Sequence, residues 1–203
     1  DEAIARAFDG FVDVYIDLQF STYFVPSKLT AQDGMELSLQ SFEKVTIEGN
    51  VAATILGTSL SDVLVGDAGA DVITGRGGAD TLTGGSRSDT FVFSSGDTGI
   101  TEATADTITD FATGTDKIDV DDPGTYVEAD GTATDTLAKF ITAANASLTT
   151  NSDDIYSMYN FNAGGNTLVV VDENKSGTVS DGDTLIILTG LSTAGGLDAS
   201  DFI

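Results

Sequence analysis

The chain has 203 residues, with 33 Asp plus Glu against 8 Lys plus Arg, a formal charge of −25. It has no Cys, no His and no Trp, which excludes disulfide frameworks, zinc–thiolate and HExxH sites, iron–sulfur clusters and Ser-His-Asp triads. Such acidity repels nucleic-acid phosphates and anionic lipid, and apolar runs such as Leu185–Leu188 fall far short of a membrane span.

At 40 % hydrophobic the chain has material for a core. Its self-repulsion opposes compaction, and a bound cation is the direct remedy. A composition rich in Asp and free of His and Cys favours hard, oxygen-seeking ions, Ca²⁺ above all. A solvated acidic surface is the competing reading of the composition.

In chain order, Phe11–Phe20 alternates and reads as a strand with Asp13 and Asp17 on its outer face. Residues 41–49 lead directly into a repeat of period nine. Its turns are GTSLSDVLV from Gly57, GDAGADVIT from Gly66, GRGGADTLT from Gly75 and GGSRSDTFV from Gly84. Gly opens every turn, Asp62, Asp71, Asp80 and Asp89 hold the sixth position, and Leu64, Ile73, Leu82 and Phe91 hold the eighth. Each unit is expected to end in a short strand whose central side chain points inward. Gly in the loops permits the sharp turn into the next unit. Successive strands then alternate between two parallel sheets, with Ile55, Ile73 and Phe91 lining one and Leu64 and Leu82 the other. The loops crowd carboxylates and carbonyls together, so folding is expected to couple to metal binding.

These turns resemble the RTX (repeats-in-toxin) family, with its unit G-G-x-G-x-D-x-U-x. The resemblance implies a mainly β protein, a parallel β-roll (β-solenoid) of nonapeptide repeats with flanking strands and one amphipathic helix, and Ca²⁺ held between stacked turns. Transferred residue by residue, it pairs Asp62 with Asp80 and Asp71 with Asp89, and it includes Gly66, Gly69, Gly75 and Gly78. The third turn fits best. The second has Asp67 at its second position, the first lacks the later glycines, and the fourth has Arg87 where Gly belongs. Residues 41–49 resemble the irregular turns that precede such rolls.

Residues 106–120, DTITDFATGTDKIDV, are similar to the segment that caps the roll in serralysin-type proteases and in the repeat modules of alginate epimerases. They read as strands over 107–111 and 117–120 joined by a Gly114 turn. Asp106 and Asp110, then Asp116 and Asp119, are candidate ligands, with turn capping as the alternative. A polar stretch over 121–134 contains a turn at Asp121-Asp122-Pro123-Gly124. From Asp135 to Thr150, Leu137, Phe140, Ile141, Ala144 and Leu148 recur at helical spacing, with Thr134 or Asp135 as N-cap.

Ile155–Phe161, Asn166–Val171 and Thr184–Leu188 read as strands. Between the last two, residues 172–183 match an EF-hand loop, with Asp172, Asn174, Ser176, the Thr178 carbonyl and Asp183 as candidate ligands. Ser180 acts through water and Asp181 assists in this reading. Asp rather than Glu stands at the twelfth position, and the flanks are strands, so the loop is expected inside a hairpin. The end, LDASDFI from Leu197, is similar to C-terminal signals of type I secretion substrates. There is no N-terminal signal peptide, and an upstream region is expected to precede Asp1.

The expected organisation is therefore an N-terminal β cap or end of an upstream solenoid over 1–54, the roll with its capping strands over 55–120, and a helix, hairpin and secretion signal over 121–203. The leading function is a non-enzymatic calcium module, secreted by a type I system and folding outside the cell. Its partners are calcium ions, the secretion machinery and a larger secreted or surface protein. One alternative is a structural S-layer or adhesin segment that assembles with other copies. Another is a polysaccharide-binding accessory module using Tyr126, Tyr156 and Tyr159. No nucleophile elbow, phosphate loop or dinucleotide fingerprint is present, so any catalytic domain is expected upstream of this chain.

Overall fold

The computed structural model describes residues 28–30, 35–38, 44–48, 52–120, 123–130, 136–148, 154–161, 165–191 and 196–203. The strand expected over Phe11–Phe20 lies outside them.

Three strands precede the repeats: β1 (Lys28–Thr30), β2 (Met35–Ser38) and β3 (Lys44–Glu48). The repeats form β4 (Ala53–Leu56), β5 (Val63–Val65), β6 (Val72–Thr74), β7 (Thr81–Thr83) and β8 (Thr90–Phe93). Each pairs in parallel with the strand two elements on. Thus β4 joins β6 and β6 joins β8 in one sheet, while β3 joins β5 and β5 joins β7 in the other. The register stacks Ile55 on Ile73 on Phe91, and Leu64 on Leu82. All five side chains are fully buried. The sequence-predicted alternation between two sheets is the observed one, and β1 and β2 extend it upstream.

Segment 106–120 forms β9 (Asp106–Ile108) and β10 (Lys117–Val120). They do not pair with each other. β9 joins β7 in one sheet and β10 joins β8 in the other, so this segment is a further coil of the roll. Gly114 turns between them at φ 72°.

The larger sheet continues past β9 with β14 (Thr184–Leu188), β13 (Asn166–Val171), β12 (Ile155–Phe161) and β11 (Tyr126–Asp130). The strand β11 falls in the stretch read as polar loop; it gains its place by parallel pairing with β12. Helix α1 spans Leu137–Ser147, and its N-cap is Thr136 rather than Thr134 or Asp135. Its apolar stripe covers the outer face of this sheet, Phe140 meeting Tyr156 at 5.6 Å between ring centroids. Val169 and Val171 of β13 face the roll's core, while Leu168 and Val170 face the helix. Burial on both faces explains the continuous apolar run of this strand.

Tyr156 is buried, and the half-buried Tyr126 bonds through its hydroxyl to Ser157 Oγ at 2.8 Å. The expected trio of exposed tyrosines for sugar stacking is therefore not formed. At the end of the chain, a 3-10 turn (Ala199–Asp201) carries Phe202 into a parallel bridge with Ile118.

Candidate metal centre

The Asp columns form hydrogen-bonded ladders. Oδ1 of Asp80 accepts the N–H of Asp62 at 2.7 Å, and Oδ1 of Asp89 accepts that of Asp71 at 2.8 Å. Oδ1 of Asp71 accepts from Ala53 at 2.8 Å. Beyond the repeats, Asp106 takes the N–H of Asp80 at 2.8 Å and Asp116 takes that of Asp89 at 3.0 Å. Each carboxylate thus replaces a strand partner for the residue one coil earlier, which fixes its position in the fold.

The second oxygens divide the turns. Asp62 Oδ2 accepts from Thr58 N at 2.7 Å and Thr58 Oγ1 at 2.9 Å; Asp71 Oδ2 accepts from Asp67 N at 3.2 Å. In the third and fourth turns the residue at that position is left-handed, Arg76 at φ 65° and Gly85 at φ 103°. In these turns Asp80 Oδ2 and Asp89 Oδ2 stay buried with no hydrogen bond, and Gly85 N donates to Asp110 instead. Asp62 Oδ1 and Asp106 Oδ2 are in the same state. Arg87 holds φ 83°, so it keeps the backbone shape that Gly has at Gly78, φ 129°. Asp89 accordingly keeps its rung.

A buried carboxylate oxygen without a partner is costly. Burial first, then repulsion between neighbouring carboxylates, pushes Asp80 up to about 7, Asp89 to about 6 and Asp106 to about 8; backbone N–H bonds oppose the shift. Among the described residues no Lys or Arg pairs with any of the ladder carboxylates. Arg76 donates instead to the Gly57 carbonyl at 3.2 Å.

The glycines opening each turn leave room for oxygen. A Cβ on Gly66 would overlap both Asp71 Oδ2 and the Gly84 carbonyl, and one on Gly57 would meet Asp62 Oδ2 and the Gly75 carbonyl. Gly75 likewise sits against Asp80 Oδ2. Carboxylate and carbonyl oxygens of successive coils thus face each other across a space that only Gly leaves open. Among the described residues no three carboxylates converge on one point. An ion here must take most of its ligands from carbonyls, which suits Ca²⁺ with about 6–8 oxygen ligands.

Of the other candidates, Gly69 is buried. Asp110 spends both oxygens on backbone, accepting from Gly84 N at 3.0 Å and Gly85 N at 2.8 Å. Its role in the structure is to cap the fourth loop. Asp119 is half-buried on β10.

The loop over 172–183 is drawn together inside the β13–β14 hairpin. Asp172 and Asp183 are fully buried. Oδ1 of Asp172 and Oδ1 of Asn174 both accept Ser176 N at 3.0 Å, and Gly177 N donates to Asp172 Oδ2 at 2.6 Å. Ser176 Oγ donates to the Thr178 carbonyl at 2.8 Å, and Asn174 N donates to Asp183 Oδ1 at 3.4 Å. All five expected ligand residues therefore lie in one bonded network. Asp183 is raised by burial and by Asp172, against the bonds from Ser180 and Asn174.

Two participants were not legible from residue type. Asp97, half-buried, adds repulsion to Asp80 and Asp106 from a loop without repeat spacing. Asp201 accepts Gly114 N at 2.8 Å and continues the acid pattern of the roll's end; its place just before an apolar residue was the available signal.

Stacked acidic loops on a parallel roll define a calcium-binding β-solenoid module. Residues 56–91 match the RTX calcium-binding nonapeptide repeat in four copies. The chain thus carries RTX repeats over those residues, and such repeats bind calcium ions. A search of curated proteins found no match. Among the described residues no helix is long and apolar enough to cross a membrane.

Proposed function

We propose that this chain is a non-enzymatic module that stays unfolded where calcium is scarce and folds on Ca²⁺ outside the cell, stabilising a larger secreted or surface protein delivered by a type I system. The observation that carries it is the set of buried carboxylate oxygens on Asp62, Asp80, Asp89 and Asp106 with no partner. Bound calcium supplies the positive charge and the open coordination positions that these oxygens lack. The residues of the chain do the rest: the ladder holds Oδ1 of Asp80, Asp89 and Asp106, the opening glycines admit the facing carbonyls, and the apolar columns stack the coils.

The tail supports the secretion part. Leu197 and Phe202 are buried in the core, and Asp201 is bonded to Gly114. A signal placed there is readable only in the unfolded chain, so export precedes folding.

Circular dichroism of calcium-stripped protein during a Ca²⁺ titration tests the proposal. Disorder in chelator and β-structure with calcium are expected. Asp71→Ala and Asp80→Ala should shift the midpoint to higher calcium, Asp172→Ala by its own hairpin loop, and the exposed Glu102→Ala not at all. Equal order with and without calcium would sink it.

A further inference from the structure

Three described residues other than Gly are left-handed, Arg76 at φ 65°, Arg87 at φ 83° and Lys175 at φ 57°, and all three are cations in acidic loops. An L side chain is unfavourable in that conformation, so the reason for keeping it is to be sought in the side chain. For Arg76 the structure shows one. Its Nη1 donates to the Gly57 carbonyl at 3.2 Å, reaching 19 residues back to the preceding coil. Among the described residues no backbone N–H donates to that carbonyl. Gly57 lies beside the Asp62 carboxylate and the Gly75 carbonyl. The guanidinium therefore sits on the edge of the roll where Asp62 Oδ1 and Asp80 Oδ2 are buried without a hydrogen bond.

The opposite edge has no counterpart. Turns one and three cross from the smaller sheet to the larger, and turns two and four cross back. In the fourth turn Gly85 stands where the third has Arg76. A Cβ on Gly85 would overlap the Asp67 carbonyl, so no side chain fits there. Among the described residues Arg87 makes no bond to a coil carbonyl.

We propose that Arg76 is a tethered cation that competes with Ca²⁺ for the Gly57 carbonyl, so that the edge built from turns one and three responds at higher calcium than the edge built from turns two and four. The inference rests on the reading that the repeats bind calcium and adds the order in which the two edges respond. A guanidinium and a divalent ion are drawn to the same oxygens and repel each other when both are near. The carbonyl serves Nη1 or an ion, and Arg76 must swing out for the second. The side chain is exposed, so it leaves into water freely. While it stays, it ties the loop of turn one to that of turn three, and the roll keeps its shape there before the edge is loaded. Among the described residues no ion pair joins Arg76 to Asp62 or Asp80. It therefore competes for a carbonyl without discharging the carboxylates, and their attraction for calcium persists.

Two measurements on the full chain during a calcium titration test it: circular dichroism for the folding midpoint, and hydrogen exchange at two amides. Thr81 N bonds the Asp62 carbonyl on the first edge, and Thr90 N bonds the Asp71 carbonyl on the second, each at 2.8 Å. In the unsubstituted chain Thr90 exchange should slow at several-fold lower calcium than Thr81 exchange. Arg76→Gln keeps a side chain on the same left-handed backbone. In it the two amides should slow together, and the folding midpoint should fall several-fold. Arg87→Gln removes the same charge from the other edge and should move the midpoint less. Thr81 and Thr90 slowing at the same calcium in the unsubstituted chain overturns the proposal, whether or not the variant folds. So does a midpoint for Arg76→Gln at higher calcium, the sign expected of a plain strut between loops, or one no lower than that of Arg87→Gln. Failure of the repeat reading looks different, because the unsubstituted chain would then show no slowing at either amide at any calcium concentration.

Discussion

The backbone N–H of Asp71 donates to Oδ1 of Asp89 at 2.8 Å, one coil further along the roll. The same carboxylate keeps Oδ2 buried without a partner. One oxygen therefore serves the fold and the other awaits a cation, and substitution can separate the two roles. Asp89→Asn retains an acceptor for Asp71. Its calcium response should be weakened, yet at saturating calcium it should fold with the ladder intact. Asp89→Ala also strands the Asp71 N–H, and urea unfolding in saturating calcium should show it less stable than Asp89→Asn by about 1–3 kcal/mol. Equal stability of the two variants there would contradict this division.

Acid should act in the direction opposite to ordinary acid denaturation. Asp80, Asp89 and Asp106 are raised to about 7, 6 and 8 in the fold from an ordinary 3.8. Below those values and above 3.8 the folded chain holds more protons than the unfolded one, so stability falls as pH rises through that window. Calcium-stripped protein, disordered at pH 8, should gain β-structure and a melting transition toward pH 5. With saturating calcium the difference should shrink or reverse, since the ion and the protons compete for the same oxygens. Thermal melts at the two pH values, with and without calcium, check it.

Arg87 occupies a left-handed conformation, φ 83°, in the fourth turn. An L side chain there costs about 1–2 kcal/mol, of which the extra freedom of an unfolded Gly returns about 0.5–1 kcal/mol. Arg87→Gly should therefore stabilise the chain by roughly 0.5–1 kcal/mol and leave the Asp89 site responsive. A destabilised variant in urea titration would show that the arginine contributes something its backbone does not reveal.

Phe202 packs 5.4 Å from Tyr126 between ring centroids and bridges Ile118 at the end of the smaller sheet. Phe202→Ala should cost about 3–5 kcal/mol, the usual scale for a buried Phe. Near-UV circular dichroism should register the loss at Tyr126. An exposed neighbour, Ile203→Ala, should cost far less.

The repeat turns were legible because two constraints coincide in them. An apolar residue must face inward once per strand, and an Asp must stand two positions earlier to reach the preceding coil. Asn166–Val171 and Thr184–Leu188 were legible because a sheet buried on both faces demands continuous apolar runs, and Ile155–Phe161 because it is rich in aromatic residues. The strand Tyr126–Asp130 was not, since its YVEAD owes its conformation to pairing with β12 rather than to its own pattern. The strands Lys28–Thr30 and Met35–Ser38 lack the Gly and Asp columns, and only their register on β3 and β4 places them in the roll. In the site, residue type gave the carboxylates but not their division of labour. Whether Oδ2 is satisfied depends on the backbone of Thr58, Asp67, Arg76 or Gly85, which spacing does not encode.

The alternation of strands between two walls imposes a parity on the molecule. Deleting residues 66–74 would send every later strand to the opposite wall, so the β9–β14 junction would continue the other sheet. Deleting 66–83 would shorten the roll by one full winding and leave that junction where it is. Such an architecture can grow or shrink through evolution only in pairs of nonapeptides, so length variants of this module should differ by multiples of about eighteen residues.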